Sequence, residues 1–188
     1  MILNRQVYIV GAGGHAKSIS SFIDTRKKIF FIDKKKTIKQ NNLIGDDIFF
    51  LKNIDISKKF DLFMGIGLPN QSRINVFNLY KKNKFNFTKL IHKSAVVNKN
   101  SSIGEGSIIF PNVTIGNNVK IGVNSIIYSN ATVEHDTVIG DHCYISPSAT
   151  ICGNVIVGNN VFVGASACVI EKVKIKNNTF VKANKLLK

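Results

Sequence analysis

Four histidines, three cysteines and eleven acidic residues are the groups in this 188-residue chain with the chemistry to move a proton, attack a carbon or hold a metal. His135 stands apart from the other histidines because carboxylates flank it on both sides, Glu134 and Asp136. A carboxylate bonded to one imidazole nitrogen orients the ring and raises its basicity, which leaves the other nitrogen to take a proton from a nucleophile. The pattern points to general-base chemistry, against the plainer alternative of a polar turn. His142 beside Asp141 reads as a solvent-exposed histidine. His15 sits in a glycine-rich turn, where it either touches a ligand or starts a helix. His92 reads as a packing or capping residue. No tight ligand spacing links the four histidines, so no metal site is expected.

The element that positions His135 is a repeat. Stepping by six from Val97, the chain reads Ile103, Ile109, Ile115, Ile121, Ile127, Val133, Ile139, Ile145, Ile151, Val157, Val163, Val169, Ile175 and Val181, fifteen Ile or Val positions without a break. A small or slender residue lies two places before each, Ser107, Ser125, Ala131, Cys143 and Ala149 among them. A period of six does not fit a helix of 3.6 residues per turn, but it fits a hexapeptide β-helix, with three hexads to a triangular coil. Fifteen hexads give about five coils. The aliphatic residue points inward, and Cys143, at an inward small position two places before Ile145, is read as structural. Asn-Asn pairs at 117–118, 159–160 and 177–178 mark corners that need left-handed backbone angles. Corners one coil apart stack on an edge. One edge reads Asn117-Asn118, His135-Asp136, Gly153-Asn154 and Glu171-Lys172, which puts His135 at a corner with the bare backbone of Gly153 beside it.

Ahead of the repeat, Gln6 to Val10 reads as a buried strand, followed by the turn Gly11-Ala12-Gly13-Gly14-His15-Ala16 and a helix to Ile23. A strand, a glycine turn and a helix N-terminus together can hold a phosphate. A second strand, Ile29 to Ile32, ends at Asp33, 22 residues after Gly11, where a carboxylate can reach a ribose hydroxyl. Leu62 to Gly65 reads as a third strand, and Asn70 as the cap of a helix to about Lys82 with Ile74, Phe77 and Tyr80 on one face. Some 90 residues hold only one mononucleotide-binding half of a doubly wound fold, which disfavours a dinucleotide dehydrogenase. The expectation is an α/β Rossmann-like half domain over 1–91 and an all-β parallel β-helix of hexapeptide repeats over 92–188, whose hand the period does not fix.

The composition excludes other classes. Hydrophobic residues make up 44% of the chain and charged residues 20%, which is a globular balance. No stretch is apolar enough to span a membrane, the first residues lack the pattern of a secretory signal, and three cysteines without a C-x-x-C indicate reduced thiols in a cytoplasm. The net charge of +15 resembles a nucleic-acid signal, but residues 1–94 hold 18 Lys and Arg against 6 Asp and Glu, and residues 95–188 hold 8 against 5. The basic residues lie scattered or in short runs such as Lys34-Lys35-Lys36, with no recognition-helix or zinc-finger pattern, so they read as solvated charge and no nucleic acid is expected.

With these segments in hand, the sequence resembles the bacterial sugar O- and N-acetyltransferases of the NeuD and PglD type, in which a small nucleotide-binding domain precedes a left-handed hexapeptide prism. The resemblance is carried by VYIVGAGGHAKSI (Val7 to Ile19), the strand end at Asp33, GIG at 65–67 with Arg73 beyond it, LIHKSA at 90–95 and TVEHDTVIG at 132–140. It implies His135 as the general base and Asp136 as the residue that orients it. It places the sugar nucleotide on Gly11, Gly13, Gly14, His15 and Asp33, with Gly65 and Gly67 in a neighbouring substrate loop. It implies acetyl-CoA as the acyl donor, lying along the prism between subunits of a homotrimer, with backbone near Gly153 and Ala165 on its path. It requires no metal and no covalent enzyme intermediate. The family pattern continues for another coil to a Gly-x-Pro-Ala-Lys-like segment, whereas KANKLLK follows Val181 here.

The function expected on these grounds is acetyl-CoA-dependent N-acetylation of a nucleotide-linked amino sugar in the cytoplasm, for a surface glycan. O-acetylation of sialic acid or another sugar is the nearest rival, a non-catalytic sugar-nucleotide-binding protein the next, and a Rossmann-type oxidoreductase a distant one.

Overall fold

A computed structural model describes residues 5–24, 26–34, 42–67 and 70–188. The chain divides into two compact units, Met1–Thr88 and Lys89–Lys188. Lys35 and Lys36 of the lysine run lie outside the described residues.

The first unit is built on a parallel sheet in which β1 (Gln6–Val10) lies between β2 (Ile29–Ile32) and β3 (Phe60–Met64). Strand β1 is buried from Val7 to Val10, as the central strand of a covered parallel sheet must be. Helices α1 (Gly14–Ser20), α2 (Asp47–Asn53) and α3 (Gln71–Lys82) follow the three strands in turn. Because β2 and β3 lie on opposite sides of β1, the connection that leaves β1 runs to one edge of the sheet and the connection that leaves β2 crosses to the other. A crevice at such carboxyl strand ends is where open α/β sheets bind ligands.

Helix α1 ends at Ser20, three residues short of the expected Ile23. The hydroxyls of Ser18, Ser20 and Ser21 donate to the carbonyls of Gly14, Lys17 and Ser18. Past Ser20 the backbone tightens, with Phe22 donating to Ile19 and Ile23 to Ser20. Helix α3 starts where expected, capped by the Asn70 side chain, which accepts from the Arg73 N–H at 3.2 Å. Its inner face carries Arg73 with Phe77 and Tyr80. Helix α2 was not legible in the sequence. Its exposed residues include Ile48 and Phe49 while Asp47 and Phe50 are buried, so it has no apolar stripe. The only local signal is Asp46, whose carboxylate caps the helix by accepting from the Phe49 N–H at 2.9 Å. Phe50 anchors α2 in a ring cluster with Tyr8, Phe60, Tyr80 and Phe85.

The second unit is a left-handed parallel β-helix of two-residue strands, from β4 (Leu90–Ile91) to β20 (Leu186–Leu187), stacked in three sheets of six, six and five strands. Partners are 18 residues apart, as in Ile109, Ile127, Ile145 and Val163, all four with no solvent exposure. The coil extends one hexad beyond each end of the Ile/Val run, to Ile91 and Leu187. The Leu90 N–H donates to the Ser107 carbonyl, so the strand 90–91 is paired within this unit. Residues at the small positions also tie coils together. The Ser107 hydroxyl donates to the Gly122 carbonyl at 2.7 Å and accepts from the Ser125 N–H at 2.9 Å; Ser125 does the same towards Gly140 and Cys143. Cys143 is the next link, donating to the Gly158 carbonyl at 3.0 Å, and burial pushes its thiol up to about 11. It is structural. Outside the first sheet, the rings of Phe110, Tyr128, Tyr144, Phe162 and Phe180 stack at 4.2–5.2 Å. Every sixth residue from Asn112 to Asn184 has φ between 53° and 64°, which fixes one left-handed residue at each corner. Among the described residues no helix is long and apolar enough to cross a membrane.

Candidate active site

His135 sits on a prism corner beside the left-handed residue Asp136 (φ 58°), a conformation that aspartate and asparagine tolerate better than most side chains. Backbone bonds fix the corner from both neighbouring coils. The Asp136 N–H donates to the Asn117 carbonyl at 2.9 Å, and the Asn154 N–H donates to the His135 carbonyl at 3.0 Å.

The imidazole is half exposed, and its Nδ1 lies 2.8 Å from Asp136 Oδ2. The other carboxylate oxygen accepts from the Asn118 amide, also at 2.8 Å. The bonds from Asn118 and His135, in that order, hold the Asp136 carboxyl below its ordinary range. It is therefore ionised at neutral pH and can only accept a hydrogen bond. The proton between the two must then reside on Nδ1, so in the neutral imidazole Nε2 is the nitrogen that carries the lone pair. Asp136, not Glu134, is the carboxylate on the ring. One coil further, a Cβ on Gly153 would stand 2.8 Å from His135 Cε1 and 2.9 Å from Nε2. The Cε1–Nε2 side of the ring lies over that glycine, where any larger residue would take its room. Asn118, Asp136 and Gly153 thus form a cradle for one imidazole.

The other histidines of this unit are placed differently. His142 is half-buried, with Nδ1 2.9 Å from the amide of the buried Asn124 one coil earlier, and is a rung of an edge ladder instead of a free solvent-facing ring. His92 bonds the Ser94 hydroxyl at 2.9 Å, and that hydroxyl accepts from the Asn112 N–H, closing the first corner. Ala165 is exposed on a different edge from His135, beside the left-handed Ser166, so one protomer does not bring Ala165 to the imidazole.

In the first unit, Gly11, Asp33, Gly65 and Gly67 converge on the carboxyl ends of the strands. Gly11 has φ +97°, and a Cβ on it would meet the Gly65 carbonyl at 3.2 Å. A Cβ on Gly67 would fall 2.5 Å from the His15 ring. Gly13 and Gly14 face open space at the start of α1. Burial, and then the Arg73 charge, push His15 down to about 3, so its ring is neutral. Arg73 itself is buried and donates to the Ile66 carbonyl. Asp33 is not wholly free, because Oδ2 accepts from the Ala12 N–H at 2.9 Å and so holds the glycine turn.

A cleft of about 290 Å³ opens over these strand ends. Its walls are Val10, Ile32, Ile66 and Val76, and its polar lining is Asp33, Lys34, Asp47 and the backbone of Gly11. Of the residues singled out from sequence, Gly11 and Asp33 reach this cleft, and Lys34, read there as solvated charge, lines it as well. Asp47 was missed together with its helix. Among the described residues no three His, Cys, Asp or Glu side chains gather as a metal site.

Comparison with known proteins agrees with this two-part organisation. The PglD N-terminal domain family matches residues 6–80, and the bacterial transferase hexapeptide family matches residues 118–153 and 136–171. Perosamine N-acetyltransferase from Caulobacter crescentus, solved with CoA and GDP-perosamine, is 31% identical, with 95% of this chain and 86% of that chain covered and a TM-score of 0.85. The acetyltransferase domain of PglB from Neisseria gonorrhoeae is 26% identical, with 96% and 89% covered and a TM-score of 0.85. WeeI from Acinetobacter baumannii shares the fold at 19% identity, with 95% and 94% covered and a TM-score of 0.76.

Proposed function

Since this chain belongs to the hexapeptide-repeat sugar acetyltransferases that carry a PglD-type N-terminal domain, we propose that it moves the acetyl group of acetyl-CoA to the amino group of a nucleotide-linked amino sugar. The observation that carries this reading is the chain Asn118, Asp136, His135, which engages Nδ1 and leaves Nε2 as the imidazole nitrogen not held by the carboxylate at an exposed corner. A relative at 31% identity solved with CoA and GDP-perosamine supports the choice of donor and acceptor.

In this reading the two tasks fall on the two units. The first holds the sugar nucleotide on the glycine turn and Asp33. The second holds the donor along the prism past Gly153 and supplies the base. His135 Nε2 takes a proton from the attacking amine, and Asp136 stabilises the imidazolium that forms. The new C–N bond is made at the thioester carbonyl carbon as the C–S bond breaks, and the departing sulfur recovers the proton from His135. Products are the N-acetyl sugar and CoA. A donor that touches both Gly153 and Ala165 has to reach two prism edges, which supports a site shared between subunits of a homotrimer. The three free thiols fit work in a reducing cytoplasm.

The test is CoA release, followed with a thiol-reactive dye, from acetyl-CoA offered with UDP-, dTDP- and GDP-linked 4-amino sugars and with sialic acid. His135→Ala is expected to lose about 10²–10⁴-fold in kcat with one nucleotide amino sugar, the usual range for a general base. A His135→Ala enzyme within threefold of wild type would remove the base from this role. Release with sialic acid alone would make the protein an O-acetyltransferase. No release with any acceptor would favour a protein that only binds sugar nucleotides.

A further inference from the structure

The cleft over the strand ends contains a group that the glycine turn does not explain. Asp47 opens α2 and is 9% exposed, yet it lines the cleft. Its Oδ1 accepts from the Tyr80 hydroxyl at 2.9 Å. Burying a carboxylate is costly unless its lone pairs are satisfied, and two oxygens offer about four acceptor sites. Burial accordingly raises the Asp47 pKa, with the Tyr80 bond acting against it. Asp46, not Asp47, caps the helix, so the cap does not account for this carboxylate.

The surroundings limit what can bind against it. Val10, Ile32, Ile66 and Val76 give apolar walls suited to a flat ring, and Asp33 on the same cleft stands at the strand end where a ribose hydroxyl binds. A base edge that faces Asp47 meets an acceptor and must present donors there, while Lys34 on the same cleft can only donate, towards a carbonyl such as guanine O6.

We infer that Asp47 selects the nucleobase of the sugar nucleotide, and that the base it selects is guanine. Guanine presents two adjacent donors on its pairing edge, N1–H and the N2 amino group, which match the two oxygens of a carboxylate. Uracil and thymine present a single N3–H between two carbonyl oxygens, and a carboxylate repels both carbonyls. Adenine and cytosine place a ring acceptor beside their amino group. This inference rests on the reading of the first unit as a sugar-nucleotide site and adds which nucleotide it takes.

The test is calorimetric titration of the whole chain with GDP, IDP, UDP and dTDP. A bidentate pair discriminates between bases by roughly ten- to a hundredfold. Wild type is expected to bind GDP at least tenfold more tightly than UDP or dTDP. IDP, which lacks the N2 amino group, should bind more weakly than GDP by severalfold or more. Asp47→Asn keeps an oxygen to accept from Tyr80 but places an amino group in the cleft, so GDP affinity should fall at least tenfold while UDP changes less than threefold. UDP binding as tightly as GDP in wild type, or IDP equal to GDP, overturns the inference while leaving the nucleotide site intact. An unchanged preference in Asp47→Asn, with a melting curve showing it folded, overturns it as well. Failure of every nucleotide to bind defeats the sugar-nucleotide reading itself.

Discussion

The two units solve the problem of placing a site by opposite means. In the prism, one inward aliphatic and one small residue recur every six positions, and each rung is held by rungs like itself. The chemistry sits where that repeat is decorated, at a corner whose side chain the core does not need. The first unit has no repeated rung. Its core is a cluster of different rings around Phe50, and its cleft is lined by residues from three separate strand ends and two helices. Core and site are therefore separable in the prism and interleaved in the first unit. Asp47 is the clearest case, since it lines the cleft and bonds Tyr80, which itself packs on Phe50.

The largest effect expected from this contrast is on stability. Phe50 is fully buried and touches four other rings, so Phe50→Ala should cost about 3–5 kcal/mol, read by chemical denaturation. It should weaken nucleotide binding as well, because α2 carries Asp47. Ile127 is equally buried, but its position accepts Ile or Val along the whole prism, so Ile127→Val should cost about 0.5–1.5 kcal/mol and leave the kinetics alone. Equal costs at the two sites would break the comparison.

Gly153→Val isolates the site from the core. The added side chain occupies the space of the His135 ring, and Gly153 is outside the left-handed region, so the backbone does not forbid the change. The expected result is a loss of activity on the order of a hundredfold, from displacing a general base, with a melting temperature close to that of wild type. A large drop in melting temperature would show that this corner is part of the core after all.

The same contrast explains what the sequence disclosed. The prism, its corners and the candidate base were readable because a six-residue period fixes which residue lies over which, so Asn118, His135-Asp136 and Gly153 could be stacked on one edge without coordinates. The small positions were readable as small, but not as hydroxyl links such as Ser107 to Ser125. In the first unit the glycine turn, Asp33 and the Asn70 cap were readable because each is a local signal. Helix α2 was not, since a helix that buries Asp47 and exposes Ile48 and Phe49 has a pattern only the tertiary environment explains. His142 was read at its corner, but as solvent-exposed instead of half-buried, for a related reason. Its partner Asn124 lies 18 residues away on the same edge, and both residues are ordinary corner residues by type.

The smallest effect concerns His15, the buried histidine of the first unit. His15 has its pKa pushed down to about 3 by burial and by Arg73, whereas the unfolded chain binds a proton near the ordinary 6.5. Between those values the unfolded state carries the extra proton, so stability rises with pH across that window and is lost as pH falls from 6.5 towards 3. Replacing His15 with Gln keeps a polar side chain of similar reach and removes the proton. The slope of unfolding free energy against pH should then flatten by up to one proton over the upper part of the window. An NMR titration reads the same group directly, with the His15 ring signal still in its neutral position at pH 5. A His15 ring that titrates near 6.5 would show it open to solvent, and Gly67 would then have no buried ring to make room for.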